Sequence, residues 1–230
     1  MSSSEFDEFA QSYDALLENC LGGEDSSGAV EYFARSKALY IVQLLGQGFS
    51  GSILDYGCGH GRVARHLLQT LPEAMVQGYD ISEKTIASAN LELRQRARLT
   101  SRAEELAPTY DLVLLAGVVH HIPPAARRDF LAGLRQRLTP DGRLVVFEHN
   151  PSNLLTRRVV ERCIFDKGVV LCPASEMGGL LSGVGLTLER LDDVSFVPPA
   201  LARLRGLERL LRWCPLGAQY AAVGRHGGGR

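Results

Sequence analysis

Short apolar runs alternate with helical patterns from residue 51 onward, and this alternation constrains the fold more than any other feature of the chain. The apolar runs cover residues 51–56, 74–80, 98–101, 110–117 and 142–149. All but the weak third run are nearly continuous, as expected for strands that are covered by helices on both faces. Helical patterns lie between them at 60–71, 82–96 and 124–138. The chain is therefore predicted to stack βαβ units on a mainly parallel sheet.

The two ends of the chain carry further elements. Upstream, residues 5–21 and 30–46 show helical spacing and are separated by a Gly/Ser/acid-rich loop, which predicts a helical cap over 1–48. Downstream, two late strands are predicted at 186–197 and 218–225, with a Leu/Arg-rich helix at 199–213 between them. We expect one domain, with a central core over 49–150 and a final segment over 151–230.

Composition excludes several classes of protein. The 25 Lys and Arg residues nearly balance the 26 Asp and Glu residues, which argues against a strongly basic nucleic-acid binder. The five cysteines are scattered and form no CxxC pair, so we expect reduced thiols in a cytoplasmic protein. The acidic start of the sequence lacks the pattern of an export signal, and no run is apolar enough to predict a membrane span.

The strongest local motif is the glycine loop ILDYGCGHGR at 53–62, where an apolar strand leads through Gly57, Gly59 and Gly61 into a helix. Glycine lets the backbone approach a ligand closely, and the helix that follows presents N–H groups to anions. Asp80 ends the next strand, where a carboxylate can accept hydrogen bonds from ribose hydroxyls. Together these features predict an adenosyl-type ligand. Arg62 stands where a dinucleotide fingerprint has its third glycine, which disfavours a nicotinamide oxidoreductase.

At this point the chain resembles the class I S-adenosylmethionine-dependent methyltransferases, in the small-molecule branch related to ubiquinone-biosynthesis enzymes. The resemblance is carried by four segments, which are LDYGCGHGR, YDIS, YDLVLLAGVVHHIPP and LTPDGRLVVFEHNP. It implies a Rossmann-like, seven-stranded, mostly parallel sheet with helices on both faces and an antiparallel last strand. It also makes residues 49–150 the donor-binding core and residues 151–230 the acceptor side.

The resemblance implies that S-adenosylmethionine is the cofactor and that its binding residues can be named by position. The methionine part would be surrounded by Asp55, Gly57, Cys58, Gly59 and Gly61. Asp80 would bind the ribose, Ile81 would pack on adenine and Ala116 would lie near the amino group. Relatives often place an acid beside adenine, whereas this chain has Arg102 followed by Ala103, so this contact is expected from the backbone.

Residues for the acceptor are predicted at the ends of the fourth and fifth strands, because ligands of open α/β sheets bind there. The predicted catalytic residues are His121 first, then His149 and Glu148, since a neutral imidazole can accept a proton from a hydroxyl or amine. The predicted substrate contacts are Tyr13, Tyr32, His120 and Arg157. The alternative for His121 is helix capping, and for Glu148 and His149 it is a hydrogen bond that stabilises the fold. The tyrosines could simply pack in the core, and Arg157 could lie on a solvated helix face. The histidines show no HxxxH or HExxH spacing, so no metal is expected.

The predicted function is methyl transfer from S-adenosylmethionine to O, or to N or C, of a small metabolite. The segment after the fifth strand resembles methyltransferases of bacterial glycan or secondary-metabolite pathways, where we expect the acceptor. We expect no nucleic-acid or membrane partner and a monomer or homodimer. A non-catalytic S-adenosylmethionine-binding regulator and a nucleic-acid methyltransferase remain alternatives, although Pro123-Pro124 lacks the flanking residues of the latter. The helix at 200–213 leaves a membrane-surface function open.

Overall fold

A computed structural model describes Cys20, residues 28–197, Leu201, Arg203 and residues 206–227. The strands in this part of the chain are β1 (Ser52–Tyr56), β2 (Met75–Tyr79), β3 (Arg98–Thr100), β4 (Tyr110–Ala116), β5 (Leu138–His149), β6 (Leu186–Val194) and β7 (Gln219–His226). The helices are α1 (Ala29–Leu45), α2 (Arg62–Thr70), α3 (Glu83–Ala87), α4 (Leu91–Arg96), α5 (Arg127–Arg135), α6 (Leu154–Arg162), α7 (Ala174–Gly183) and α8 (Glu208–Leu211). Short 3₁₀ turns lie at Ala103–Glu105, Val119–His121, Pro124–Ala126 and Ile164–Asp166.

The strands form one seven-stranded sheet in the order β3-β2-β1-β4-β5-β7-β6. The pairs from β3 to β5 are parallel, whereas β7 runs antiparallel to both β5 and β6. This arrangement confirms the predicted Rossmann-like sheet and its antiparallel last strand. Because β1 and β4 are adjacent while the chain winds outward from them in two directions, their carboxyl ends open a crevice suited to a ligand.

Helices cover both faces of the sheet, which explains why the central strands are apolar at nearly every position. Leu112 and Leu114 of β4 face a cluster that includes residues of α1 and α2. The intervening Val113 and Leu115 face a cluster that includes residues of α5 and α7. Successive side chains of a strand point to opposite faces, so a strand buried on both sides needs apolar residues throughout.

Two of the predicted helices differ from the structure. The helix expected at 82–96 is interrupted, because the Asn90 side chain accepts a hydrogen bond from Glu92 N and begins α4 as a separate helix. The helix expected at 124–138 begins with the 3₁₀ turn Pro124–Ala126 and ends at Arg135. The Thr-Pro-Asp-Gly sequence at 139–142 is typical of a turn, but these residues lie within β5.

The Asn150-Pro151 pair is typical of a helix N-cap and first turn and predicts a helix start there, but the helix after β5 does not begin at this pair. The cap is Asn153, whose side chain accepts from Thr156 N at 3.0 Å. The Asn150 amide instead donates to Asp193 Oδ1 at 2.8 Å and to Gly217 O at 3.0 Å. It therefore joins the end of β5 to the end of β6 and to the chain before β7, which a local sequence pattern does not reveal.

The outer segments are described only in part. Helix α1 agrees with the predicted helix at 30–46, while the helix predicted at 5–21 lies outside the described residues except for Cys20. Within the helix predicted at 199–213, the structure shows the short helix α8. Residues 198–200, 202 and 204–205 lie outside the described part of the chain. The five cysteines are free thiols, as predicted. No described helix is long and apolar enough to span a membrane.

Arg127, at the start of α5, is a fully buried cation. Its guanidinium donates to Ile122 O at 3.2 Å, to Glu176 Oε1 at 3.0 Å and to Val170 O. It thereby ties together the loop after β4, the segment before α7 and α7 itself. A planar group with five N–H donors suits such a three-way junction.

We expect Arg127→Met to lower the free energy of unfolding by about 2–3 kcal/mol, because it removes a fully buried guanidinium and its hydrogen bonds to Ile122 O, Val170 O and Glu176 Oε1. The matched control is Arg128→Met, since the neighbouring guanidinium is exposed and makes one long hydrogen bond to Gly183 O. That change should stay within about 0.5 kcal/mol. Urea denaturation of both variants measures the difference, and equal losses would show that the junction does not stabilise the fold.

Candidate active site

The glycine loop after β1 folds back onto the end of β2. Gly57 N and Cys58 N both donate to Tyr79 O, at 2.7 and 2.9 Å. Gly57 has φ +79°, and a Cβ there would lie 2.5 Å from Val118 Cγ2. Gly59 differs, because it has φ +53° and a Cβ would meet no heavy atom within 4 Å. The loop is thus packed against the protein at Gly57 and open at Gly59, as a cradle for a ligand requires.

Asp80 is oriented by two backbone hydrogen bonds. Gly59 N donates to its Oδ2 and Ser82 N to its Oδ1, both at 2.9 Å. A carboxylate has about four acceptor sites, so an oriented Asp80 retains capacity for hydroxyl donors. The next residue, Ile81, is 49% exposed beside it, which gives the crevice an apolar surface for a flat ring.

Asp55, near the end of β1, is a buried carboxylate in this crevice. Its Oδ2 has no hydrogen-bond partner among the described residues. Burial, with Asp80 as a second contribution, raises the pKa of Asp55 to about 7, although Ala64 N–H and the Lys37 ammonium oppose the shift. An orphaned carboxylate oxygen of this kind fits a cationic ligand group.

Lys37 of α1 is a site residue that the sequence analysis missed. Burial lowers the pKa of Lys37 to about 8. The nearby carboxylates of Glu148 and Asp55 partly oppose this shift, because they stabilise the charged ammonium. It is the only lysine in α1 and lies among buried residues such as Ala38 and Ile41. The sequence did contain a sign of this role, because Lys37 stands alone on an otherwise apolar helix face. A lysine that packs in such a place needs a nearby carboxylate.

A second group of residues lies at the carboxyl ends of β4 and β5. Glu148 is fully buried, and its Oε1 accepts from Val118 N at 3.0 Å and from Val119 N at 2.6 Å. Its Oε2 accepts from His120 Nδ1 at 2.6 Å. Asp166 Oδ1 lies 3.3 Å from His120 Nε2 and 3.7 Å from His121 Nε2.

Asp166 was also missed by the sequence analysis. It comes from the 3₁₀ turn after α6, 45 residues beyond His121 in the chain, and no spacing rule connects the two. The ring of His149 lies 5.2 Å from that of His120, between centroids. The structure therefore joins the loop after β4, the end of β5 and the segment after α6 in one polar cluster.

The three imidazoles of this cluster differ in charge. Burial disfavours a charged His120, but Glu148 and Asp166 outweigh burial and raise the pKa of His120 to about 10. Burial and the positive charge of His120 lower the pKa of His121 and of His149 to about 4. At neutral pH one cation therefore lies between two carboxylates, with two neutral imidazoles beside it.

Most of the predicted site residues meet at this edge of the sheet. They are Asp55, Gly57, Cys58, Gly59, Gly61, Asp80, Ile81, Ala116, His120, His121, Glu148 and His149. Arg102 and Ala103 come just after β3, on the outer part of the same edge, and the remaining predicted residues are separate from this group or lie outside the described residues. Arg102 is exposed and pairs with Glu105 at 3.4 Å, and Ala103 is exposed beside it. Arg157 lies on an exposed part of α6, Tyr32 donates to Val197 O at 3.0 Å, and Tyr13 lies outside the described residues.

Comparison with known proteins agrees with this geometry. A family model described as a methyltransferase domain matches residues 54–144. Trans-aconitate 2-methyltransferase of Mycobacterium ulcerans is 24% identical over 194 residues, covering 78% of this chain and 71% of that protein. Its namesake in Deinococcus radiodurans is 29% identical over 178 residues, covering 70% and 66%. Magnesium protoporphyrin IX methyltransferase of Synechocystis, solved with S-adenosylhomocysteine, shares the fold with a TM-score of 0.67, 16% identity and coverage of 98% and 99%.

These findings support the class I S-adenosylmethionine-dependent methyltransferase that the resemblance implied. The methyltransferase domain matched within this chain supports an enzyme that uses S-adenosylmethionine. The residues of the crevice fit that cofactor, because the cradle at Gly59, the oriented Asp80 and the orphaned oxygen of Asp55 match a ligand with ribose hydroxyls and positive charge.

We expect Gly59→Ala to fold but to bind S-adenosylmethionine at least about tenfold more weakly, because the added methyl group occupies the cradle. The matched control is Gly185→Ala, just before β6, with φ +81° and no atom closer than 3.5 Å to the new Cβ. Both substitutions should lose about 1 kcal/mol of stability through the left-handed backbone. Calorimetric titration and thermal denaturation separate the two effects, and equal donor affinities would contradict the cradle.

Proposed function

We propose that this methyltransferase transfers the methyl group to an oxygen of a small-molecule acceptor, with a hydroxyl as the acceptor group. The observation that carries the proposal is the position of two imidazoles beside the donor crevice: the rings of His121 and His149 lie 4.2 and 5.2 Å from that of His120, between centroids, and burial and the charge of His120 lower the pKa of both. Val118 links the two regions, because its side chain covers Gly57 while its N–H is bound by Glu148. Donor and acceptor groups would thus be held by one continuous edge of the sheet.

The donor residues that we propose follow the geometry of the crevice. Gly57, Cys58, Gly59 and Gly61 would border the methionine part of S-adenosylmethionine, and Ala116 would lie near its amino group. Asp80 would accept from the ribose hydroxyls and Ile81 would pack on adenine, with the backbone at Arg102 and Ala103 at the ring edge. Two further contacts come from the structure. Asp55 would pair with the ammonium of the donor and Lys37 with its carboxylate.

S-adenosylmethionine supplies an activated methyl group, so the protein mainly aligns an in-line displacement. A hydroxyl must also lose its proton, and a neutral imidazole can accept it. His121 is our first candidate for that role because 19% of its side chain is exposed, and His149 is the second. Glu148 and His120 are engaged with each other and with backbone groups. We therefore propose that they position the site and do not contact the acceptor directly.

Charge favours a neutral acceptor. Asp55, Asp80, Glu148 and Asp166 outnumber the cations Lys37 and His120 at this edge. Such a field suits a sulfonium donor and repels phosphates and carboxylates, so a nucleic-acid acceptor is disfavoured as well. A tricarboxylate is nevertheless a second candidate, because two relatives are named for trans-aconitate. Arg157 is one cation that could approach such an acceptor.

The test is a panel of phenolic and sugar hydroxyl acceptors, with trans-aconitate and an RNA oligonucleotide in parallel. Mass spectrometry detects the product by its added methyl group. We expect a methyl ether from a hydroxyl acceptor, and a kcat about 100-fold lower in His121→Ala at unchanged donor affinity. His226→Ala, at the far end of β7, is the histidine control and should retain full activity.

Two outcomes would contradict the proposal. Methylation of trans-aconitate alone, with an unchanged kcat in His121→Ala, would assign the tricarboxylate function, since a carboxylate acceptor needs no base. Tight donor binding without turnover of any acceptor class would favour the non-catalytic regulator.

Donor affinity is also expected to depend on pH through Asp55. Its raised pKa means that it is protonated below about 7, so it pairs with the donor ammonium only as pH rises. The groups that face it are Asp80, Lys37 and Cys58, and the buried Cys58 thiol stays neutral because its pKa is raised. We expect the dissociation constant of S-adenosylmethionine to increase about tenfold per pH unit below pH 7.

Asp55→Asn should flatten this dependence. The control is Asp111→Asn, because hydrogen bonds from Ser52 lower the pKa of Asp111 and keep it ionised throughout. Calorimetric titrations between pH 5.5 and 7.5 give the comparison. A slope that persists in Asp55→Asn would show that another group controls donor affinity.

A further inference from the structure

The geometry points to a divalent metal site formed by His120 Nε2, His121 Nε2 and Asp166 Oδ1, of the kind that holds Zn²⁺ or a related first-row transition metal. These three ligand atoms lie within 4.8 Å of one another. Two imidazoles and one carboxylate form a donor set that suits Zn²⁺, Fe²⁺ and Mn²⁺, and metal binding would displace to solvent the Nε2 proton that His120 holds toward Asp166. The site goes beyond the proposed function, because metal binding can be measured without donor or acceptor.

The separations between the ligand atoms are compatible with metal coordination. Metal bonds of about 2.0–2.1 Å place tetrahedral ligand atoms roughly 3.3–3.4 Å apart. The two measured separations from Asp166 Oδ1 are 3.3 Å and 3.7 Å. The first separation also fits a long hydrogen bond, whereas the second exceeds hydrogen-bond range.

Glu148 supplies the support that a metal-bound histidine needs. Its Oε2 accepts from His120 Nδ1 at 2.6 Å, which fixes the ring and directs Nε2 toward Asp166. Metal-ligating histidines almost always donate their other N–H to such an outer carboxylate or carbonyl group. Glu148 is itself held by Val118 N and Val119 N, so the orientation of His120 does not depend on Asp166.

The site is also reachable. The side chain of His120 is 2% exposed, whereas those of Asp166 and His121 are 10% and 19% exposed. His121 therefore forms the more accessible side of the cluster, from which a metal would enter. In the metal-bound protein His121 is a ligand, and proton acceptance in the proposed reaction passes to His149.

The absence of a metal motif in the sequence does not bear on this site. HxxxH and HExxH place both ligands on one helix. Here the two histidines are adjacent in a 3₁₀ turn, and the carboxylate comes from a different segment. Only folding brings the three residues together.

The test uses untagged, chelator-treated protein titrated with Co²⁺ and Zn²⁺. We expect visible d–d absorption of bound Co²⁺ at one equivalent, displaced by Zn²⁺ and not by Mg²⁺, which prefers oxygen ligands. His121→Gln and Asp166→Asn should each weaken Zn²⁺ binding at least about tenfold. His226→Ala, which removes a histidine outside the cluster, should bind Zn²⁺ as the unaltered protein does.

Binding of S-adenosylhomocysteine is measured with the same samples. Retained binding shows that the variants are folded, and if Asp166→Asn fails to fold, the more exposed His121→Gln decides the question. Absence of the cobalt spectrum, or Zn²⁺ affinity unchanged by substitution, would overturn the metal site. Failure of the unaltered protein to bind S-adenosylhomocysteine would instead count against the proposed function and leave the metal result standing.

Discussion

The buried carboxylate of Glu148 is the interaction on which the rest of the site depends. It lies at the end of β5 and receives hydrogen bonds from Val118 N, Val119 N and His120 Nδ1 of the loop after β4. A buried charge is tolerated only when such donors surround it, so the loop has little freedom to move away. Because Val118 in turn covers Gly57, the same carboxylate fixes both the acceptor-side histidines and the packed side of the donor loop.

A second buried charge, that of Arg127, connects the segments on the other side of the histidine cluster. Arg127 joins Ile122, just after the two histidines, to Val170, just after the turn that carries Asp166. The distance between His121 and Asp166 is therefore set from outside the site. Glu148 and Arg127 act from different segments, and each satisfies backbone groups that no regular strand or helix would satisfy. Functional loops gain their geometry from such fixed points in the surrounding scaffold.

The parallel sheet and the donor crevice could be predicted because their signals are local. A continuous apolar run predicts a buried strand, and the glycine loop with Asp80 places its chemistry within one βαβ unit. Lys37, Asp166 and the partners of Asn150 could not be found in this way, since each contact joins segments far apart in the chain. The break at Asn90 shows a similar limit, because helical spacing continues through it while side-chain capping ends one helix and begins another. His120 and Glu148 were found by their positions at strand ends, but only the structure shows that they bind each other.

The excess of carboxylates in the site also bears on the proposed binding of the donor and of its product. Asp55 is unfavourable in the folded protein alone, because an acid whose pKa is raised on folding reduces stability as pH rises from about 4 toward 7. A bound sulfonium and ammonium offset that repulsion between Asp55 and Asp80. Methyl transfer would remove the sulfonium charge and leave the ammonium, so the product would keep the proposed ion pair with Asp55 and lose only the attraction of the sulfonium to the surrounding carboxylates. The proposed arrangement would thus favour the donor over its product, and a metal ion bound to His120 would reduce the repulsion on the acceptor side without changing the ion pair at Asp55.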